Sequence, residues 1–505
     1  MLQGRSGPVR VGAALLCACT GVDAPARSEA PPDPVVSDHW ALGEPVGCDA
    51  PGAPGWVDAS DRVGGSTPHA GPLDEAGSVA LWESEGVWHL VASQPSGTLA
   101  TGTVDGGGLA PLTLPAPAAH TRVADLDGDG VVDLLAWSDA ILQLPGVDPA
   151  AATVLFPPDP ERPVVDVEVG DLDDDGRDDL LAVWHDDVED TESGVYSPPS
   201  LALGTPEGFA PLADVVPGDT AWGAAFDVTT LDWDDDGDLD AYLCFDGPTR
   251  QPNRPLCDRD GSLGACDAAG ADVAVFCMGT SVGDVDGDAE PDLYLTASGA
   301  HRLLLGSADG YYDATATEVG LAFEAGQMGW GSSIVDLDND GRADILAATA
   351  DFTAGPGRWP LWVLAQESDG VFTDVGAALG FPRAAGGRGV LTHDLNGDGV
   401  VDVLMGDMAR PPWLFLSQGC TAAGWIEVDA PHGSWVEVEA GGQVWGALAS
   451  EAPGFGATGP ARVHVGLGET AVVDRVRVHV PGYGADVLEG PVAARRRVVW
   501  RAPGG

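Results

Sequence analysis

Short apolar runs alternate with Gly-, Asp- and Pro-rich punctuation along most of the chain. Val79-Ala-Leu-Trp82 and Val87-Trp-His-Leu-Val91 read as strands, and so do Trp425-Ile-Glu-Val428, Trp435-Val-Glu-Val-Glu439, Val463-His-Val465, Val476-Arg-Val-His-Val480 and Val498-Val-Trp500. Long segments with helical periodicity are absent. The 71 Gly and 40 Pro add to the turn signal. The pattern predicts an all-β chain.

Between residues 73 and 418 one unit recurs: an apolar strand, the string D-x-D-x-D-G-x-x-D, then another apolar strand. The six copies start at Asp125, Asp171, Asp232, Asp284, Asp336 and Asp394, at intervals of 46, 61, 52, 52 and 58 residues. Such a period signals a repeat architecture. Each interval holds about four short strands, and four-stranded units set radially make a β-propeller. Ser78 to Leu112 supplies a seventh unit, with Val104-Asp105-Gly106 as a decayed loop. Seven blades are expected, with six or eight left open. Residues 419–505 lack the Asp string and alternate as strands, which predicts a small β-sandwich. Residues 20–72 read as a Pro/Gly-rich linker with little regular structure.

The repeated string fits calcium. Ca²⁺ takes 6–8 oxygen ligands, and a tight turn brings carboxylates at its positions 1, 3, 5 and 9 to one side. The expected side-chain ligands are Asp125, Asp127, Asp129 and Asp133; Asp171, Asp173, Asp175 and Asp179; Asp232, Asp234, Asp236 and Asp240; Asp284, Asp286, Asp288 and Asp292; Asp336, Asp338, Asp340 and Asp344; and Asp394, Asn396, Asp398 and Asp402. A backbone carbonyl is expected from Val131, Arg177, Asp238, Glu290, Ala343 and Val400. Acidic turns that bind nothing are the bland alternative, since Asp and Gly are ordinary turn residues. Six copies in register weigh against it. The fourth copy has Ala289 where Gly is expected and the sixth has Asn396 for Asp, so these two are the expected weak or empty sites.

Charge sharpens the picture. There are 79 acidic against 23 basic residues, a formal net charge of −56, and every Lys/Arg position is Arg. Nucleic-acid binding is excluded on that ground. Six Ca²⁺ would bring −56 to −44 and relieve part of the self-repulsion.

The N-terminus reads as an export signal: Arg5 and Arg10, then the apolar Val11 to Ala18. Leu16-Cys17-Ala18-Cys19 resembles a bacterial lipobox, which would make Cys19 the lipidated first residue of the mature chain; a plain secretory signal is the alternative. The remaining Cys48, Cys244, Cys257, Cys266, Cys277 and Cys420 are an even number in an exported chain and read as disulfides. Cys244, Cys257, Cys266 and Cys277 are expected to pair among themselves, in any of three connectivities. Cys48 and Cys420 would clip the N-terminal region to the end of the central domain. No C-x-x-C or nearby His supports a zinc site instead.

The strand-loop-strand units resemble FG-GAP/VCBS repeats of the kind seen in integrin α-subunit propellers. Met278-Gly-Thr-Ser-Val-Gly-Asp284 and Trp330-Gly-Ser-Ser-Ile-Val-Asp336 look like that family's strands leading into the loop. Ser307 to Thr315 and Ser368 to Val375 look like its outer-strand links. The C-terminal run Gly424-Trp-Ile-Glu-Val428, Val438 to Gly442, His464-Val-Gly-Leu-Gly-Glu469 and Val473-Asp-Arg-Val-Arg-Val478 resembles the ASPIC/UnbV domain. That domain order is the one of the cartilage acidic protein family and its bacterial relatives. The resemblance implies an extracellular calcium-binding protein and no particular activity.

Function classes divide as follows. Gly279-Thr-Ser281-Val-Gly283 fits G-x-S-x-G but runs into an Asp loop rather than a strand-turn-helix setting. No H-E-x-x-H occurs. Trp222, Trp233, Trp330 and Trp413 are read as strand-packing residues rather than sugar platforms. The expectation is an exported surface interaction or adhesion protein, secreted or a bacterial outer-surface or periplasmic lipoprotein. Its partner would be an extracellular protein or glycan, and its only membrane contact the lipid anchor. The alternatives are a propeller-fold polysaccharide lyase or hydrolase with its site in the central channel, and a secreted structural calcium-binding protein.

Overall fold

The computed structural model describes residues 37–502 apart from 38, 49–50, 65–76, 95–97, 160–161, 186–196, 216–221, 248–251, 260, 316–320, 322–327, 351–360, 369 and 382–385. The export signal and Cys19 lie outside these residues. Among the described residues no helix is long and apolar enough to cross a membrane.

Seven four-stranded antiparallel blades make a closed ring. Their innermost strands are Val79–Ser84, His120–Ala124, Val164–Gly170, Ala224–Leu231, Cys277–Gly283, Met328–Val335 and Gly387–His393. Each touches the innermost strand of the next blade, and the last touches the first. The second strand of a blade is covered by a blade on either side. This accounts for runs such as Asp179–Trp184 and Asp344–Ala350, in which every residue is buried, and for the absence of alternation there. Five innermost strands shift register near their starts, at Val164/Asp166, Ala225/Asp227, Cys277/Gly279, Gly329/Ser332 and Gly387/Val390. Such bulges re-aim a strand, and here they lie at one level around the axis.

Residues 419–502 add strands to two four-stranded sheets that enclose a core of Ile426, Val436, Val438, Val476, Val478 and Val498. This is the expected β-sandwich.

The linker expectation is corrected. Trp40–Leu42 pairs with Arg496–Trp500 and completes a sheet of the sandwich. Trp56–Asp58 pairs with Trp413–Ser417 as the outer strand of the seventh blade. The N-terminal segment therefore closes the ring and the sandwich in turn. Strands of three residues carry no periodicity, which is why composition alone suggested a linker. The Val104-Asp105-Gly106 reading is corrected too: it follows the third strand of the first blade, Thr98–Thr103. The hairpin equivalent to the Asp loops is the two-residue turn Glu85-Gly86, both at positive φ.

Among the described residues three disulfides form: Cys48–Cys420, Cys244–Cys277 and Cys257–Cys266. They fit an oxidising extracellular or periplasmic compartment.

The two domains are not tandem beads. A loop of the sandwich runs into the ring, where Ala457–Thr458 pairs in parallel with Val79–Ala80. Ahead of it, Phe455 is buried on the propeller axis among Met278, Trp330, Ala350 and Met408. Glycines in the innermost strands make room. A Cβ on Gly331 would lie 2.4 Å from Phe455 O, and one on Gly389 would lie 2.0 Å from Gly456 O.

Candidate metal centres and the face they share

All six Asp loops join the first and second strands of blades two to seven. They share one construction. The carboxylate at position 1 accepts the N–H groups of positions 5 and 6: Asp125 from Asp129 and Gly130 (3.0 and 2.8 Å), Asp171 from Asp175 and Gly176 (3.0 and 2.8 Å). Asp232, Asp284, Asp336 and Asp394 repeat this. Position 5 accepts the N–H of position 7 in every copy, at 2.7–3.1 Å. Gly at position 6 has positive φ, from 82° to 96°, the backbone that lets the chain double back.

Position 9 does something else as well. Asp179, Asp240, Asp292, Asp344 and Asp402 each accept the N–H of position 2 with one oxygen. With the other they accept an N–H beyond the third strand or at its end: Gly204, Asp258, Gly306, Gln366 and Ser417. This Asp ties its loop to the next strand, a role the spacing alone did not reveal.

The carboxylates converge. One oxygen from each of Asp125, Asp127 and Asp129 lies within 4.8 Å of the others, and so do those of Asp171, Asp173 and Asp179 and of Asp232, Asp234 and Asp236. In the first loop Asp133 is buried, and among the described residues its Oδ2 has no hydrogen-bond partner. Oxygen donors only, convergent and partly desolvated, suit a hard divalent cation such as Ca²⁺. The electrostatics agree. Burial, then neighbouring carboxylates, raise Asp232 and Asp286 to about 6. Burial raises Asp179, Asp240 and Asp344 to about 7, and Asp292 and Asp402 to about 8, against partly compensating backbone hydrogen bonds. A bound cation would keep these groups ionised.

The copies differ. Counting from Asp336, the seventh residue of the fifth loop is Arg342, not Ala343, and its N–H meets Asp340 at 3.0 Å. The carbonyl expected of Ala343 therefore belongs to Arg342. In the fourth loop Ala289 does take positive φ, 68°. In the sixth, Asn396 Nδ2 donates to Asp402 and to Ser417, and Ser417 Oγ donates to Asp398. This loop is held together by its own amide and hydroxyl.

The sandwich sits on the third to sixth loops, and the sequence reading missed this contact. Trp435 Nε1 donates to Ala289 O (3.0 Å) and Trp445 Nε1 to Gly341 O (2.8 Å). Gly446 N donates to Asp284 Oδ2 (3.0 Å) and Gly482 N to Gly237 O (2.8 Å). His464 Nε2 pairs with Asn339 Oδ1 at 2.7 Å. The His464-Val-Gly-Leu-Gly468 run gains a physical reason here. A Cβ on Gly466 would lie 1.8 Å from Asp336 Oδ2, and Gly468 N donates to Asn339 O. The available signal was the outward-facing Trp435, out of step with the core-facing Val436 and Val438, together with the close-approach glycines.

Between the fourth and fifth loops and the strand Gln443–Ala449 lies a cleft of about 810 Å³, lined by Asp286, Asp288, Arg342, Gln366, Trp445 and His464 among others. Nearer the axis Arg122 is buried and donates to Glu168 Oε1 (2.5 Å), with His432 Nε2 at 3.3 Å from the same oxygen. The residues set aside as packing groups do pack. Trp222 and Trp330 are buried, Trp233 stacks on Tyr242 and Tyr311, and Trp413 stacks on Phe415. Ser281 Oγ is buried against Ser332 Oγ at 2.6 Å, outside any nucleophile elbow.

These features define a seven-bladed propeller with acidic hairpin loops, capped by a β-sandwich on the loop face. The FG-GAP-like repeat family matches residues 284–347, which hold the whole of the fourth and fifth loops and the strands between them. No curated protein matches the chain in sequence. Among solved structures, the chain is similar to BBS1N in complex with ARL6DN, at 10% identity and a TM-score of 0.45, over 71% of this chain and 96% of that one. The extracellular domain of the putative hybrid two component system BT4673 from B. thetaiotaomicron matches at 12% identity and a TM-score of 0.41, over 70% and 39%. The exotype rhamnogalacturonan lyase YesX matches at 12% identity and a TM-score of 0.41, over 73% and 76%.

Proposed function

We propose that this chain is an exported calcium-binding propeller that acts as a surface interaction or adhesion protein, with an extracellular protein or glycan as its partner. The observation that carries the reading is the fate of the axis. Phe455 fills it, so the protein itself occupies the channel that a propeller enzyme would use. The buried Arg122–Glu168–His432 group lies under the sandwich and reads as a structural network. Calcium in the Asp loops would fix the hairpins and, through Trp435, Trp445, Gly446 and Gly466, the seat of the sandwich. The sandwich is read as ASPIC/UnbV-like on its His464-Val-Gly-Leu-Gly-Glu469 and Val473-Asp-Arg-Val-Arg-Val478 runs. The cleft beside Trp445 and Arg342 combines an aromatic face, amide groups and carboxylates, which suits a glycan or an extended peptide. A lipid on Cys19 would hold the molecule at a membrane surface.

The test is binding of the full chain to arrays of glycans and extracellular proteins, in calcium and in EDTA. Saturable binding that EDTA abolishes and Trp445→Ala weakens supports the reading. Calcium-dependent shortening of a polysaccharide would overturn it in favour of the lyase or hydrolase alternative, and equal signals in calcium and EDTA would remove calcium from it.

A further inference from the structure

We propose a further divalent-cation site between the second and third Asp loops, formed by the carboxylates of Asp174, Asp238 and Asp258. None of these side chains belongs to the repeated donor set. Asp174 is position 4 of the second loop. Asp238 is position 7 of the third, where only the carbonyl was expected to serve. Asp258 lies outside both loops, just after the strand Arg254–Cys257. Yet one oxygen from each lies within 4.8 Å of the other two.

Asp258 supplies the decisive observation. It is 1% exposed, and among the described residues its Oδ1 has no hydrogen-bond partner. Its Oδ2 accepts Gly261 N–H at 3.0 Å, and its own N–H donates to Asp240 at 2.6 Å. A buried carboxylate with one oxygen left without a donor, on a side chain that brings an oxygen to within 4.8 Å of two more carboxylates, calls for a compensating positive charge. The surroundings are rigid. The Cys257–Cys266 disulfide closes the hairpin that begins at Asp258. A Cβ on Gly261 would lie 3.6 Å from Asp173 Cβ, so that hairpin lies against the second loop. On the other side Gly482 N donates to Gly237 O, and a Cβ on Gly482 would lie 3.3 Å from Asp174 Oδ1. Three carboxylates from three chain segments, with water completing the shell, make a site for Ca²⁺ or a similar hard cation. The bound ion would cross-link blade three to blade four.

Asp174→Asn tests it. Asp174 is exposed and has φ 57°, and Asn339 holds the same loop position at φ 62°, so the backbone accepts the amide. Equilibrium dialysis of the full chain against labelled Ca²⁺ gives the number bound. Asp174→Asn is expected to bind one Ca²⁺ fewer than the parent chain, and Asp171→Asn/Asp174→Asn one fewer than Asp171→Asn alone. Asp174→Asn with the parent's count and affinities would overturn the site. Equal counts for Asp171→Asn and the double variant would also overturn it, because the effect would then run through the second loop. Failure of the loops themselves looks different: Asp171→Asn would then bind as many ions as the parent chain.

Discussion

Withdrawing calcium at two pH values probes the loops most fully. In the calcium-free chain burial raises Asp179, Asp240 and Asp344 to about 7 and Asp292 and Asp402 to about 8. A carboxyl whose folded pKa stands above its unfolded value keeps its proton better in the folded state. Its contribution is full below about pH 4 and is lost as pH rises through 7 to 8. For Asp292, raised from 3.8 to about 8, full ionisation without a cation costs on the order of 5 kcal/mol. The metal-free chain is therefore expected to weaken steadily from pH 5 to pH 8.5. Calcium acts in the opposite sense, because it binds the ionised loops. At an affinity of about 10⁻⁴ M and calcium a hundredfold above it, each filled loop adds about 2.7 kcal/mol. The first, second, third and fifth loops keep Gly at position 6 and Asp at positions 1, 3 and 5, and together would add roughly 11 kcal/mol if independent. That is comparable to the whole stability of a domain and corresponds to a melting shift on the order of 10 °C for a ring of this size. Scanning calorimetry at pH 5 and pH 8, in 10 mM calcium and in EDTA, is the assay. The gap between calcium and EDTA should be widest at pH 8. Coincident melting curves at pH 8 would refute the reasoning.

Further substitutions probe other parts of the account. Phe455→Ala empties the axis and should cost about 3–5 kcal/mol in urea unfolding; a loss below about 1 kcal/mol would mean the plug is not packed as described. Ala289→Gly relieves a positive φ of 68° and should stabilise by about 0.5–1 kcal/mol while tightening calcium at the fourth loop, and a destabilised variant counts against that strain. Cys48→Ser/Cys420→Ser unclips the segment between the strands Trp40–Leu42 and Trp56–Asp58 and should cost about 2–4 kcal/mol; unchanged melting would show that the two short strands hold without it.

The ring and its loops were legible because they repeat. Four strands and one Asp string recur at near-constant spacing, and each copy corroborates the next. Cys48–Cys420 followed from counting what the inner four cysteines left over. The closing strand Trp56–Asp58 was not legible. It is three residues long, and its partner Trp413–Ser417 lies more than three hundred residues away. Phe455 was equally hidden, since one aromatic in a Gly-rich loop gives no period. Its signal sits elsewhere, in Gly389, where a side chain would meet only the loop, and in Gly331, where it would meet Phe455 O as well as the neighbouring strand's Arg388 O. The second role of position 9 was also hidden. Spacing identified a carboxylate there, but only the fold shows that Asp240 or Asp292 also fastens the third strand.

The central claim is that oxygen-lined turns of this ring hold metal ions. Its most direct test is an anomalous difference map from a crystal grown with Tb³⁺ in place of Ca²⁺. The account predicts a peak inside the first, second, third and fifth loops, within bonding distance of the oxygens of Asp125, Asp171, Asp232 and Asp336. Loops without peaks, or peaks confined to scattered surface carboxylates, would contradict it.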